Sequence, residues 1–251
     1  MKTKLNYSRM MIGASALAVA IAGWQARASV SQAAAPNAPK SAAITADTVG
    51  ADQGPLSPDD ALERLIAGNR RFVAAKQEHP HDTARRREEL KDSQHPFAIV
   101  LGCADSRVAP ELLFDQGLGD IFVVRVAGNV ADPALTGSVS YAVHHLHVPV
   151  LVVLGHQSCG AVQAALMAPA DLAKEPKDIQ ALVSYVQPSL KDVSPRLSGD
   201  QRLRAAIQAN VRRTVSELEV APSVKEAVAG HQLKIVGGVY DLESGKVELL
   251  P

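Results

Sequence analysis

The sequence has little cysteine, few aromatic residues and no excess of charge of either sign. Its two cysteines are Cys103 and Cys159, so the chain can close one internal disulfide at most. Lys and Arg together number 26, as do Asp and Glu; no basic surplus marks a nucleic acid or an anionic membrane as partner. No apolar run reaches the ~20 residues of a membrane-spanning helix. No motif recurs at a fixed period, which excludes a repeat architecture.

The N-terminus does carry a signal. Lys2, Lys4 and Arg9 precede an apolar stretch from Met10 to Ile21, and Ala26-Arg27-Ala28 follows. A basic start, a short apolar middle and an A-x-A end describe a secretory signal peptide over residues 1–28, with an uncleaved anchor as the alternative. Arg9 is followed by Met10 and not by a second arginine, which leaves the general and the twin-arginine export routes both open. Cleavage after Ala28 leaves 223 residues with 22 basic and 26 acidic side chains, a net charge of −4. Residues 29–55 are rich in Ala, Ser, Pro and Gly and read as a flexible linker. Residues 56–251 suit one domain with its own core. The expected location is the periplasm or the exterior, with no membrane attachment after cleavage.

Ser57-Pro58-Asp59-Asp60 opens a helix, with Ser57 as cap, proline in the first turn and two acids at the positive end of the dipole. Leu62, Leu65, Ile66, Phe72 and Val73 supply its apolar stripe. Residues 82–92 alternate Arg and Glu and read as a solvated helix. Three Val/Ile-rich runs follow, Phe97–Leu101, Ile121–Val126 and Val148–Leu154, each without polar alternation, as expected of strands buried on both faces of a parallel sheet. Helices are expected over 135–146, from near Gly160, over 178–187 and over 200–219. A fourth strand run is Leu233–Tyr240, and Asp241-Leu242-Glu243-Ser244-Gly245 turns into an edge strand, Lys246–Leu250. Strands alternating with helices predict an α/β fold with a mainly parallel sheet.

Cys103 closes the first run, in Leu101-Gly102-Cys103-Ala104-Asp105-Ser106-Arg107. His156 and Cys159 follow the third, in Leu154-Gly155-His156-Gln157-Ser158-Cys159-Gly160. In an open parallel sheet, ligands gather beyond the carboxyl ends of the strands where strand order reverses, so both segments reach one edge. Two sulfurs and one imidazole form a zinc-type donor set that leaves a fourth position open. Cys159 also stands at a helix start, where the dipole favours thiolate. The same residues permit an inert pair or a disulfide. Alternate residues point the same way, so Asp105 and Arg107 can face a pocket with Cys103. Arginine keeps such a carboxylate ionised and aimed. The carboxylate can then accept a hydrogen bond at a metal site or take the fourth position, unless the pair is only a salt bridge that stiffens the loop. His144, His145 and His147 read as solvated or core-edge residues near a helix end, and His79 and His81 as loop residues without a functional role.

Cys103-Ala104-Asp105-Ser106-Arg107 with His156-Gln157-Ser158-Cys159-Gly160 resembles the paired motifs of the β-class carbonic anhydrases, and the resemblance spans roughly residues 57–250. It implies a four-stranded parallel sheet with an added antiparallel edge strand, flanked by helices. It implies one Zn2+ per subunit on Cys103, His156 and Cys159, an Asp105–Arg107 catalytic dyad with Asp105 as fourth ligand in a closed state, and active sites at the interface of a homodimer or dimer of dimers. Gln94, just before Pro96, stands where some members donate to a substrate oxygen. Phe122 and Ala127 stand where the family lines an apolar substrate pocket, often across subunits. The activity implied is reversible hydration of carbon dioxide to bicarbonate and a proton by zinc-bound hydroxide that Asp105 orients. Two thiolates make that water less acidic than three imidazoles would, so activity is expected to rise toward alkaline pH.

Two departures stand out. In Arg125-Val126-Ala127-Gly128-Asn129, Val126 replaces an asparagine of the family motif. Val100 replaces the tryptophan of a Trp-Arg-Tyr set that holds inhibitory bicarbonate; Arg125 and Tyr141 are present, but the one tryptophan is Trp24, in the signal segment. That inhibitory site is expected to be absent or weak, and with Gln94 present, water and not Asp105 is expected on the resting metal. Three rival readings use the same residues: a hydrolase of carbon disulfide or carbonyl sulfide, a non-catalytic zinc- or partner-binding protein, and a secreted protein with a Cys103–Cys159 disulfide.

Overall fold

A computed structural model of the chain describes residues 56–251. The expected signal peptide and linker lie outside the described residues. The elements run α1 (Pro58–Val73), α2 (Ala84–Glu89), β1 (Ala98–Gly102), α3 (Pro110–Leu113), β2 (Ile121–Arg125), α4 (Pro133–Leu146), β3 (Val150–His156), α5 (Gly160–Ala165), α6 (Pro169–Leu172), α7 (Lys177–Val186), a 3-10 turn (Gln187–Asp192), α8 (Gly199–Glu219), α9 (Lys225–Ala229), β4 (Lys234–Tyr240) and β5 (Val247–Leu249). Among the described residues, no helix is long and apolar enough to cross a membrane.

Every expected strand is present. The sheet order is β2-β1-β3-β4-β5, with β1 to β4 parallel and β5 antiparallel to β4. Successive side chains leave on opposite faces. Ile99, Leu101, Leu151 and Val153 meet Val139 and Val143 of α4 and Val211 and Leu218 of α8. Val100, Val150, Val152 and Leu154 meet Ala61 and Leu65 of α1 and Phe114. A third cluster, with Val162, Val183, Val186 and Ile207, surrounds the two cysteines. β1 and β3 are buried throughout. β2 departs from the expectation: Ile121, Phe122 and Val123 are half-buried and Arg125 is exposed. The reason is position, since β2 is an edge strand with β1 as its sole neighbour in the sheet.

The chain steps from β1 outward to β2, then crosses back to place β3 on the other side of β1. The reversal of direction therefore falls between β1 and β3. α8 lies hard against this place: a Cβ on Gly155 would come 2.5 Å from Val211 Cγ2, so only glycine lets the helix approach the strand end that bears His156.

Ser57 caps α1 by accepting the Asp60 N–H at 3.1 Å. The inner face of α1 is Ala61, Leu65, Gly68 and Asn69, and Val73 is exposed, so the apolar stripe is narrower than the sequence predicts. Asn69 takes a core position because it acts as a hub. Its Nδ2 donates to the Leu113 and Gly245 carbonyls, both at 3.0 Å, and its Oδ1 accepts the Val247 N–H at 2.9 Å. Removing it leaves three buried backbone groups without partners. Asn69→Ala is expected to destabilise the fold by about 3 kcal/mol, read from urea unfolding.

The Arg/Glu-rich segment is helical only over α2, and Arg86 reaches inward to donate to the Leu118 carbonyl at 3.0 Å. α4 starts at Asp132, which accepts the Ala134 and Leu135 N–H groups, and ends at His147 in the left-handed region at φ 54°. His144 bonds the Ser223 carbonyl, and His145 stacks 5.0 Å from Tyr141. His81 Nδ1 lies 2.8 Å from Asp120, and the His79 N–H donates to Asp115. These contacts tie the His81, His144 and His145 side chains into the fold.

Candidate metal centre

Cys103 lies one residue beyond β1, His156 ends β3, and Cys159 is the N-cap of α5. β1 and β3 are parallel neighbours with Gly102 opposite Leu154, so both strands deliver these side chains to the point where strand order reverses. Ser158, at φ 55°, makes the turn that brings Cys159 back toward His156. The ligand atoms of Cys103, His156 and Cys159 all lie within 4.8 Å of one another, and all three residues are buried. The two sulfurs are 4.0 Å apart and both thiols are free; a disulfide would need about 2.05 Å.

His156 is 0% exposed. Its Nδ1 lies 2.8 Å from the Gln157 carbonyl. A carbonyl only accepts, so Nδ1 carries the proton and Nε2 presents a lone pair. Nε2 has no hydrogen-bond partner, a deficit worth roughly 1–3 kcal/mol for a buried polar atom. The Cys159 thiol hydrogen bond, aided by His156 and the Gly128 N–H and opposed by burial, pushes the Cys103 thiol down to about 4. The same bond to Cys103, with burial, pushes the Cys159 thiol up. The two thiols face each other at hydrogen-bonding distance, and a cation that binds them displaces their protons. Two soft sulfurs, an orphaned imidazole lone pair and displaceable protons fit zinc.

Asp105 and Arg107 meet through a local turn. The Arg107 N–H and Nε donate to Asp105 Oδ1 at 3.0 and 2.9 Å, and a terminal nitrogen donates to Oδ2 at 2.7 Å. The Arg107 guanidinium holds the Asp105 carboxyl well below the usual carboxylate range. Oδ2 also lies 3.9 Å from His156 Nε2. One charged carboxylate edge therefore faces the donor cluster while a guanidinium grips both its oxygens.

Arg125 adds a contact that the sequence does not reveal. From β2 it donates to the Cys103 carbonyl at 2.9 Å and the Asp105 carbonyl at 2.7 Å, clamping the loop that carries both. The loop around Val126 is held by backbone: the Val126 N–H donates to the Gly102 carbonyl, and the Ala104 and Asn129 N–H groups donate to the Val126 carbonyl. Val100 is fully buried within β1, and Tyr141 is exposed.

The remaining expected site residues separate. Ala127 precedes Gly128, whose N–H lies 3.3 Å from Cys103 Sγ. Gln94 is exposed before β1, at the opposite end of a strand about 17 Å long from Cys103. Phe122 pairs in register with Ile99, four residues and about 13 Å short of Cys103 along the strand, and its ring lies 6.3 Å from that of Tyr141. The structure brings Ala127 to the cluster of its own chain, and not Gln94 or Phe122.

Residues 98–247 match the family model described as carbonic anhydrase. The chain is 45% identical over 194 residues to carbonic anhydrase 2 of Mycobacterium tuberculosis, covering 77% of this chain and 93% of that protein. It is 45% identical over 195 residues to a carbonic anhydrase of Mycolicibacterium smegmatis, with 77% and 93% covered. Among solved structures, the β-carbonic anhydrase of Coccomyxa in complex with acetazolamide is similar with a TM-score of 0.61 and 30% identity, covering 75% of this chain and 86% of that one.

Proposed function

The chain belongs to the β-carbonic anhydrases, enzymes that interconvert carbon dioxide and bicarbonate, and on that premise we propose that Cys103, His156 and Cys159 hold one zinc ion per chain while Asp105, aimed by Arg107, orients the reacting water. The observation that carries this reading is the lone pair of His156 Nε2, buried without a partner beside two free thiols. Bound zinc supplies a Lewis acid that makes water nucleophilic near neutral pH.

The chain's own residues do the rest. The Gln157 carbonyl fixes the His156 tautomer so that Nε2 faces the sulfurs. Asp105 stays ionised, so it acts only as an acceptor: it takes the O–H of the reacting water and leaves an oxygen lone pair facing the carbon of the substrate. Arg107 fixes the carboxylate plane through two parallel bonds, and Arg125 fixes the backbone beneath it. The clamp has a measurable share: Arg125→Ala is expected to lower turnover about tenfold with zinc content unchanged, and Arg125→Lys to fall between.

The active unit in this reading is a homodimer or a dimer of dimers. The half-covered edge strand β2 supports it, as does the distance of Gln94 and Phe122 from their own chain's cluster; Gln94 and Phe122 of the partner subunit would then meet the site across the interface. The N-terminal pattern assigns the protein to the periplasm or the exterior. Metal analysis, thiol titration and carbon dioxide hydration on the purified mature chain test the proposal. One zinc per chain, two free thiols after denaturation in chelator and hydration activity are expected. A metal-free chain whose Cys103 and Cys159 are bonded to each other would overturn it.

A further inference from the structure

Resting on the zinc reading above, we propose that Asn210, in the middle of α8, is a positioning residue for the Cys103 sulfur. The link runs through two hydrogen bonds. The Gly128 N–H donates to Cys103 Sγ at 3.3 Å, and Asn210 Nδ2 donates to the Gly128 carbonyl at 2.7 Å.

The first bond depends on the shape of a turn. Residues 126–129 close with the Asn129 N–H on the Val126 carbonyl at 3.1 Å. Gly128 takes φ 79°, as the third residue of a type II turn does. The central peptide of such a turn is flipped relative to type I, and the flip points the Gly128 N–H at the sulfur. A side chain at 128 would need this left-handed backbone and would also press, at 3.1 Å, on Ala161 Cβ and Val186 Cγ2.

The second bond anchors that turn to the helix. Asn210 is 2% exposed, and it is flanked in α8 by Ile207 and Val211, both in the core, so its amide cannot swing to solvent. Asn129, inside the turn, gives no such anchor: its own Nδ2 is buried without a partner. An N–H on a ligand sulfur draws charge from it and fixes its direction, and such outer partners are commonly worth 10- to 100-fold in metal affinity. Asn210 therefore acts on the metal through the backbone of Gly128, whose carbonyl it holds and whose N–H meets the sulfur, without touching the metal.

The test is zinc affinity by competition with a chromophoric chelator, together with the sulfur-to-cobalt charge-transfer band of the cobalt-loaded chain, in wild type and Asn210→Ala. The variant is expected to bind zinc about tenfold more weakly and to shift the band. A structural role alone would lower the unfolding temperature of metal-free and loaded chains equally, with affinity and band at wild-type values; that result overturns the proposal. A wild type that binds no metal removes the zinc reading itself. Should Asn210→Ala not fold, wild type loaded with cadmium-113 carries the test: a scalar coupling between the metal and the Gly128 amide proton is expected across the sulfur, and its absence overturns the proposal.

Discussion

His156→Ala is expected to take zinc from one ion per chain to near none and to cut carbon dioxide hydration by at least about 10³-fold. The imidazole supplies the single nitrogen of the donor set, and its burial means that solvent cannot easily stand in for it. Two thiols at 4.0 Å remain, but they no longer form a three-cornered site. Atomic absorption and stopped-flow hydration check the two losses. Thermal unfolding separates loss of metal from loss of fold. Chelator should lower the midpoint of the wild type, because an ion that binds only the folded state stabilises it by mass action, and should leave the variant unmoved. Wild-type hydration in His156→Ala would remove the donor assignment.

Asp105→Asn is expected to keep the metal and still lose most of the rate. Zinc content stays at one per chain, because the carboxylate is not among the three converging donors. Turnover falls about 100-fold, the scale of a lost proton-handling group. The amide keeps the size of the carboxylate but loses its charge, and one of its two ends now presents N–H groups to the Arg107 fork. The folded state tolerates the change, since Arg107 is half-exposed and such pairs contribute roughly 0–1 kcal/mol. The pH behaviour follows from the sign of the shift. Asp105 is held below the usual carboxylate range, so its contribution is complete above about pH 4 and is lost only in stronger acid. Any fall in wild-type activity between pH 8 and 6 therefore does not come from protonating Asp105. Hydration by Asp105→Asn at the wild-type rate would end its proposed role.

The centre of the sheet was legible because β1 and β3 are continuous apolar runs, and a strand covered on both faces needs no alternation to be recognised. The donor trio was legible because Cys103 and the His156-x-x-Cys159 step each follow such a run. What stayed hidden acts through backbone groups. Asn69 holds two carbonyls and an N–H, Arg125 holds two carbonyls, and Asn210 holds one across 82 residues of chain; a carbonyl has no letter in a sequence. The exposure of β2 was hidden as well, because an edge strand and a central one can carry the same Val/Ile run and differ only in where the chain goes next. Helices α3, α6 and α9 have four, four and five residues, too few for a period of 3.6 to show.

The hub at Asn69 also ties the first described helix to the far end of the domain. Its partners Gly245 and Val247 lie 176 and 178 residues downstream, and Lys234 pairs with Asp59 across 175. The last partners of α1 are therefore made only with residues 245–247, while Leu113 and the side chains of β1 are available far sooner. Closing so long a span costs only slowly growing entropy. Asn69 is thus a clasp between the two ends of the domain, and a break at either end opens both.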